Sequence, residues 1–381
     1  MKYKLGVITI SEVSYLKEKI YNHRKILNPI AELGRMEYKT SKYIRTYLKN
    51  IGVEYEIYLE TGVVGMIKGK NPKKNIAFRA DIDGLSTDNG VKHLCGHDGH
   101  TSILLGLIEF LINNKSNLND NIVFIFQPAE EGPGGAQDLI NEGIIEKYNI
   151  NEIYGLHIYP EILEGYIGIR EGYFLAQSGE IDIDIIGKSG HGAMPQNTID
   201  SVVIASNFIN NLQTIVSRNI SPIDNAVITI GKIEGGTIRN IVADNVRLEG
   251  TMRTFKPTTY INMKKRIKEI ARGFELAYDC KIKINIKDCY PAVNNDKKLY
   301  KEFIKTIKEE KLIELEPLMI AEDFSYYQKE VPGLFFMLGA RNEDKGFVHS
   351  LHNINFNFNE EILMNGLETY INLLKQKKSI N

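Results

Sequence analysis

The chain has 381 residues, 43% of them apolar and 25% charged, ordinary values for a soluble globular protein that exclude disordered, collagen-like and coiled-coil readings. At roughly 100–200 residues per domain the length favours two domains, or one large domain carrying an insertion. Lys plus Arg number 47 against 48 Asp plus Glu, a net charge of −1, so there is no field to draw in a polyanion and a nucleic-acid partner is not expected.

The N-terminal stretch MKYKLGVITISEV has one short apolar run followed by charged, helix-like sequence and lacks a small-residue cleavage site, so no secretory signal is expected. From Val53 to Phe126, strand-like runs (VEYEIYL, GVVGMIKG, IAFRADID, NIVFIF) alternate with one strongly apolar helical run, TSILLGLIEFLI, which is the alternation of an α/β sheet. The longest apolar stretch, Ser102 to Ile112, falls well short of the ~20 residues that span a bilayer, so no membrane partner is expected. IYGLHIY at 153–159 reads as another buried strand.

Beyond residue 178 the grammar changes. Ile181, Ile183 and Ile185 alternate with Asp182 and Asp184 as in a half-buried strand, and Ser201 to Arg218 sets Val202, Ala205, Phe208, Leu212 and Ile215 on one helical stripe. The strands NAVITIGKI and ADNVRLEGTMRTF, a helix from about Thr258 to Tyr278 and the strand KIKINIKDC follow. This β-α-β-β-α-β order is the split βαβ of a ferredoxin-like unit. PGLFFMLGA at 332–340 and a terminal helix from about Asn359 to Lys375 return to the first pattern. The expected organisation is an α/β sheet domain formed by residues 1–177 and 291–381, interrupted by a ferredoxin-like unit over 178–290. Three cysteines, Cys95, Cys280 and Cys289, cannot form a disulfide framework and point to reduced thiols or a metal ligand. The chain is read as cytoplasmic.

Cys95-Gly-His97-Asp98-Gly-His100 precedes the apolar helix, which sets a thiolate and an imidazole two residues apart in a turn at the sheet edge, with Gly96 letting both face one point. Those groups suit borderline divalent metals such as zinc; the alternative is a buried Cys beside a helix-capping Asp and His. Gln127-Pro-Ala-Glu130-Glu131-Gly-Pro-Gly-Gly135 follows NIVFIF at its carboxyl end, where ligand sites collect in open α/β sheets. Adjacent carboxylates there point in different directions, so one can bind metal while the other acts on water. A solvated turn with two surface acids is the alternative, against which Pro128 and the glycines argue for a specified backbone. No Gly-Lys-Ser/Thr follows, so it is not a phosphate loop.

His157 interrupts the apolar strand IYGLHIY and is either a satisfied core histidine or a ligand at the edge that receives Glu130 and Glu131. Asp81 and Asp83 end IAFRADID and could hydrogen-bond a ligating imidazole or ligate directly. Ser350-Leu-His352-Asn353 adds a distant candidate ligand, with His349 as rival. Together Cys95, His97, Glu131, His157 and His352 offer five ligands and leave Glu130 as a base, an inventory suited to a two-metal hydrolytic site. A structural zinc site would use tight Cys/His pairs instead.

The motifs RADIDGL (79–85), CGHDGH (95–100), FQPAEEGPGGA (126–136), GLHIYP (155–160), GKSGHGAMP (187–195), NAVITIGKIEGG (225–236), EGTMRTF (249–255), AEDF (321–324) and SLHN (350–353) run over nearly the whole chain. In that order they resemble the metal-dependent amidohydrolases of the aminoacylase and carboxypeptidase type. The resemblance implies a dimetal-hydrolase domain with an inserted lid and dimerisation domain. It also implies two divalent ions (Mn, Zn, Co or Ni) on Cys95, His97, Glu131, His157 and His352. Glu130 would be the general base, with Asp81 and Asp83 in the catalytic set. His191 would reach the substrate from the partner subunit of a homodimer and stabilise the oxyanion, while Asn240 and Arg253 would contact the substrate. The implied reaction is hydrolysis of the amide of a small-molecule N-acyl amino acid. Asp-Gly-Leu (83–85), GPGGA (132–136) and SRNISPIDNAVITIG resemble the N-acetyldiaminopimelate deacetylase branch more than the hippurate hydrolase branch. Asn28, Ala31 and Ser86 depart from the family's His, Pro and Pro, and Thr87 to Leu94 is shorter, changes that bear on substrate choice more than on chemistry. Alternatives are a general aminoacylase or dipeptidase on the same scaffold, and a non-catalytic metal-dependent binding protein. The mark of the latter, a missing base or ligand, is absent.

Overall fold

The structure, a computed structural model, describes residues 10–381; the N-terminal stretch through Thr9 lies outside the described residues. The chain forms two units: one of residues up to Gly172, Asn294–Glu316 and Asp323–Asn381, the other of Tyr173–Val293 with Pro317–Glu322.

The first unit opens with helices α1 (Lys17–Leu27) and α2 (Tyr38–Asn50) and strands β1 (Glu56–Tyr58), β2 (Gly62–Ile67) and β3 (Asn75–Asp81). Helix α3 (His97–Asn113), strand β4 (Asn121–Gln127), helix α4 (Gly135–Asn141) and strands β5 (Glu152–Leu163) and β6 (Ile167–Ile169) follow. After their first residue, β3 and β4 are buried throughout, as continuous apolar runs covered on both faces should be. They pair in parallel with Asp81 opposite Gln127, and on its other side β3 pairs in parallel with β5, Arg79 opposite Gly155. The register therefore brings the carboxyl ends of β3 and β4 level with His157, two residues beyond Gly155.

Helix α3 is apolar on every side and buried from His97 to Leu111, the signature of an inner helix. It begins at His97, inside the motif expected to be a turn. Gly96, at φ 88°, swings the chain into the helix, and Asp98 in the first turn complements the helix dipole. His97 and His100 thereby fall three residues apart on one helical face. A Cβ on Gly99 would lie 2.5 Å from Cδ1 of Ile158, so the glycine is what lets α3 seat against β5.

The second unit contains β7 (Gln177–Ile186), α5 (Ser201–Thr214), β8 (Ala226–Gly235), β9 (Asn245–Thr254), α6 (Pro257–Tyr278) and β10 (Lys281–Asp288). Its sheet runs β8-β9-β7-β10, antiparallel throughout, which is the order of a split βαβ. Ile181, Ile183 and Ile185 point into a core with Phe208, Leu212, Met263 and Ile267, while Asp182 and Asp184 on the other face pair with Arg247. The α-helix ends at Thr214, where Ile215–Asn219 widens into a π-helical turn, but the apolar stripe continues, with Ile215 buried in the core and Val216 against it.

The chain then completes the first unit with β11 (Leu312–Glu314), β12 (Gly333–Arg341) and α7 (Glu361–Gln376). The finished eight-stranded mixed sheet runs β1-β2-β4-β3-β5-β12-β6-β11, and β12 lies parallel to β5 with Met337 opposite His157. Helices α1 and α7 pack on α3. No helix among the described residues is long and apolar enough to cross a membrane.

One titratable group sits in this helical layer away from the sheet. His23 of α1 is buried, its Nδ1 2.7 Å from the Tyr43 hydroxyl and its ring 4.3 Å from that of Tyr47. Burial lowers its pKa to about 4. A depressed folded-state value means the native protein binds fewer protons than the unfolded chain, so the contribution of His23 is complete above pH ~6.5 and is lost as pH falls through about 4. Urea unfolding of His23→Gln and the parent protein across that window should show the parent losing more stability on acidification; parallel curves would contradict it.

Candidate metal centre

Five side chains from four separated segments of the first unit converge at the carboxyl end of the parallel strands. Cys95, buried just before α3, has its Sγ 3.4 Å from Nε2 of His157 on β5 and 3.3 Å from Nε2 of His352. His352 also stands 3.4 Å from Oε1 of Glu131 in the turn after β4. Nε2 of His97, at the head of α3, is 3.9 Å from Glu131 and 4.0 Å from Oε2 of Glu130. His352 reaches this point across 257 residues because its own N–H donates to the carbonyl of Leu94, at 2.9 Å, one residue before Cys95. It adopts a left-handed backbone, φ 64°, to do so.

The imidazoles are aimed by what their other nitrogens do. Nδ1 of His97 faces only acceptors, the carbonyl and Oδ1 of Asp83, at 3.1 and 3.0 Å. Nδ1 of His157 likewise donates to the carbonyl of Ile158 at 2.7 Å. Once deprotonated, a ring that donates from Nδ1 presents a bare lone pair at Nε2, and both Nε2 atoms face the cluster. Asp83 does more than orient His97: its Oδ2 accepts the backbone N–H of Glu131 at 3.0 Å.

Asp81 is committed elsewhere. It accepts from Arg79 at 2.8 Å and from Nδ1 of His100 at 2.5 Å, while Nε2 of His100 accepts the N–H of Ile158 at 2.9 Å. Among the described residues five groups of three donors lie close together: Cys95–His97–His157, Cys95–Glu131–His352, His97–Glu130–Glu131, Asp81–His97–His100 and Glu130–Glu322–Asp323, with Cys95 common to the first two. His349, the rival to His352, joins no such group among the described residues.

The donor set fits cations. Nε2 of His97 and Oε1 of Glu131 are buried without a hydrogen-bond partner, a costly state unless something else satisfies them. The Cys95–His157 and Cys95–His352 separations, 3.4 and 3.3 Å, are those of donors sharing an ion with bonds of ~2.0–2.3 Å. Protein charges alone leave the pocket short of positive charge. Burial opposes an imidazolium at His97, yet Asp81, Asp83 and Glu131 outweigh it and raise its pKa to about 10. Burial, then Glu131 and Glu130, push the Cys95 thiol up. Burial would also raise Glu131, but the facing His352 and the nearby His97 lower it to about 2. Burial and neighbouring His100 take His157 down to about 3. Protons held by thiol and imidazole where carboxylates crowd are the ones that metal binding displaces.

In the second unit, His191 lies on a two-residue strand opposite Ile241, and the N–H of Gly192 donates to the carbonyl of Asn240 at 2.8 Å. These two predicted residues are therefore neighbours. Arg253, on β9, folds back onto the hydroxyl of Thr251 and the carbonyl of Met252.

Sequence reasoning gave no role to Arg79, Asp323, Gln127, His100 or Glu37. Arg79 in the apolar run IAFRADID was a signal, because a guanidinium inside a central strand must be paired. His100 and Asp323 sat in motifs without a task. Glu37 belonged to none.

Residues 77–376 match the peptidase family M20/M25/M40. The chain is 40% identical over 375 residues, 94% of its length and 98% of the relative's, to the N-acetyldiaminopimelate deacetylase of Bacillus cytotoxicus. It is 41% identical over 336 residues, covering 84% and 89%, to the protein of that name from Priestia megaterium. The solved YXEP protein of Bacillus subtilis, described as a dinuclear metal binding peptidase of the M20 family, superimposes with a TM-score of 0.82 at 28% identity, covering 95% of this chain and 98% of that one.

Proposed function

The chain belongs to the peptidase family M20/M25/M40, and on that premise we propose that it is a cytoplasmic, dimetal deacetylase that cleaves N-acetyldiaminopimelate to acetate and the free amine. Two relatives at 40% and 41% identity carry that activity in their names. The observation that carries the reading is the cluster of sulfur, nitrogen and carboxylate donors with a second carboxylate, Glu130, beside it. The proposed ligands are Cys95, His97, Glu131, His157 and His352. Divalent ions held there supply Lewis acidity, which polarises an amide carbonyl and makes water acidic near pH 7.

The chain's own groups do the rest. Glu130 takes a proton from the attacking water and returns it to the departing amine. Asp83 keeps His97 in the tautomer that ligates, and through the N–H of Glu131 it ties that ligand to the same support. A general aminoacylase or dipeptidase would use the same machinery and differ in substrate profile. A binding protein without turnover would lack a ligand or the base, and every such position is filled.

We propose further that the protein is a homodimer joined through the second unit. In that arrangement His191 donates to the tetrahedral oxyanion of the partner's site, and Asn240 and Arg253 contact the substrate. Support comes from the backbone edges of β8 and β10, the outer strands of the four-stranded sheet, since an open edge can be extended by a two-fold mate; the strand expected from the sequence to offer that edge, Glu180 to Gly187, falls in β7, which is paired on both sides.

Purified protein loaded with Mn²⁺, Zn²⁺ or Co²⁺ should release acetate from N-acetyldiaminopimelate in preference to hippurate and dipeptides. Glu130→Gln should keep fold and metal while losing at least ~10²-fold in kcat, the worth of a general base; unchanged turnover would pass the role to Glu131. Mixing inactive Glu130→Gln with inactive His191→Ala should restore activity up to about a quarter of the parent level, because about half of a random mixture is heterodimer with one intact site each. Exchange proven by mass without recovered activity would confine His191 to its own subunit or remove it from catalysis.

A further inference from the structure

The turn carrying Glu130 and Glu131 is built around an unfavourable residue. Ala129, immediately before the base, has φ 56°, a left-handed conformation that a side chain bearing Cβ avoids. Such a conformation persists only where its surroundings fix it. The backbone N–H groups of this turn are received by three buried carboxylates from distant segments. Asp83 takes that of Glu131 at 3.0 Å, and Asp323 takes those of Gly135 and Ala136, both at 3.0 Å. The third carboxylate, Glu37, takes the N–H of Ala129 itself at 2.8 Å.

Glu37 is completely buried at the entrance to α2. Its Oε1 also accepts the N–H of Arg35 at 3.0 Å, and its Oε2 accepts the Thr61 hydroxyl at 2.7 Å. The segment before it lies directly on the turn: a Cβ on Gly34 would come 2.5 Å from the carbonyl oxygen of Gly132 and 3.0 Å from Cα of Ala129. The approach that lets Glu37 reach Ala129 therefore depends on a glycine three residues earlier.

We propose that Glu37 is a positioning residue for Glu130. It acts through one hydrogen bond, by holding Ala129 in the left-handed state that directs the next side chain toward His97. It belongs to none of the metal-donor groups, and all its partners are neutral donors, so it works by acceptor geometry rather than charge. Glutamine can reproduce that geometry. Its amide oxygen accepts the two N–H groups, and its amide nitrogen donates to the Thr61 oxygen once that hydroxyl turns. The inference rests on the assignment of Glu130 as base.

The test compares Glu37→Ala, Glu37→Gln, Thr61→Val and Glu130→Gln by steady-state kinetics, metal content, and deuterium exchange of the peptide spanning residues 127–136. Glu37→Ala should lose at least ~10-fold in kcat with KM and metal content nearly unchanged, the scale expected when a reacting group is misplaced by a fraction of an ångström. Its 127–136 peptide should also exchange faster. Glu37→Gln should stay within ~3-fold of the parent, because it restores the acceptor. Thr61→Val, which only frees Oε2, should show smaller changes of the same sign, and it decides the matter if Glu37→Ala does not fold. A Glu37→Ala or Thr61→Val protein with parental kcat and parental exchange, while Glu130→Gln is inactive, overturns the proposal alone. So does a Glu37→Gln variant as impaired as the alanine. Full turnover in Glu130→Gln overturns the base assignment, and the role of Glu37 with it.

Discussion

A guanidinium with no solvent exposure, on a strand flanked by parallel neighbours in the middle of a mixed sheet, must have each of its donors met. Arg79 meets that demand by binding Asp81, Gln127 and Asp323 at 2.8–2.9 Å. Removing one partner of such a buried set leaves an uncompensated charge, which costs far more than the set contributes as a whole. The geometry of the candidate site hangs from this one group. Through Asp81 it fixes His100, and through His100 the N–H of Ile158 on β5. Through Gln127 and Asp323 it fixes the entry to α4, whose first two N–H groups end on Asp323. The strand carrying His157, the helix carrying His97 and the turn carrying Glu130 and Glu131 are thus registered by hydrogen bonds to buried charges. Apolar packing alone would leave them free to slide by fractions of an ångström.

That architecture separates two kinds of acid. Asp81, Asp83, Asp323 and Glu37 spend their oxygens on protein donors, whereas Oε1 of Glu131 is left without a hydrogen-bond partner in a buried pocket. Burial opposes ionisation of Asp81, Asp323, Glu37 and Glu131, and the neighbouring donors and cations act against it. The outcome is a pocket whose outward face is satisfied and whose inward face is not, the arrangement a cation completes.

The secondary structure of the first unit was legible because its strands are apolar without interruption and its inner helix is apolar on all sides, patterns with few other solutions. The second unit was legible for the opposite reason: isoleucine alternating with aspartate permits only a one-sided sheet. The five proposed ligands could be named by residue type, but of the strand ends expected to carry them only that of β4 leads into a ligand turn, at Glu131, while His97 opens α3 and His157 lies inside β5. The supporting layer was harder to read. Asp83 could be named as an imidazole partner, but its second role, on the N–H of Glu131, depends on the path of a turn 48 residues away. Glu37 reaches Ala129 across 92 residues, and no local pattern announces a carboxylate that serves a backbone amide. The helix start at His97 was missed because propensity favoured Thr101, whereas Gly96 and the contacts of His97 with Asp83 decided the boundary.

The central claim is that five donors from four separate segments of one unit hold two divalent ions, with the thiolate of Cys95 among them. X-ray absorption at the zinc edge, with metal counting on the same sample, tests it most directly. The account predicts two ions per chain and a sulfur scatterer at ~2.3 Å that vanishes in Cys95→Ser. A shell of nitrogen and oxygen alone in the parent protein, or a sulfur signal that survives Cys95→Ser, would contradict it.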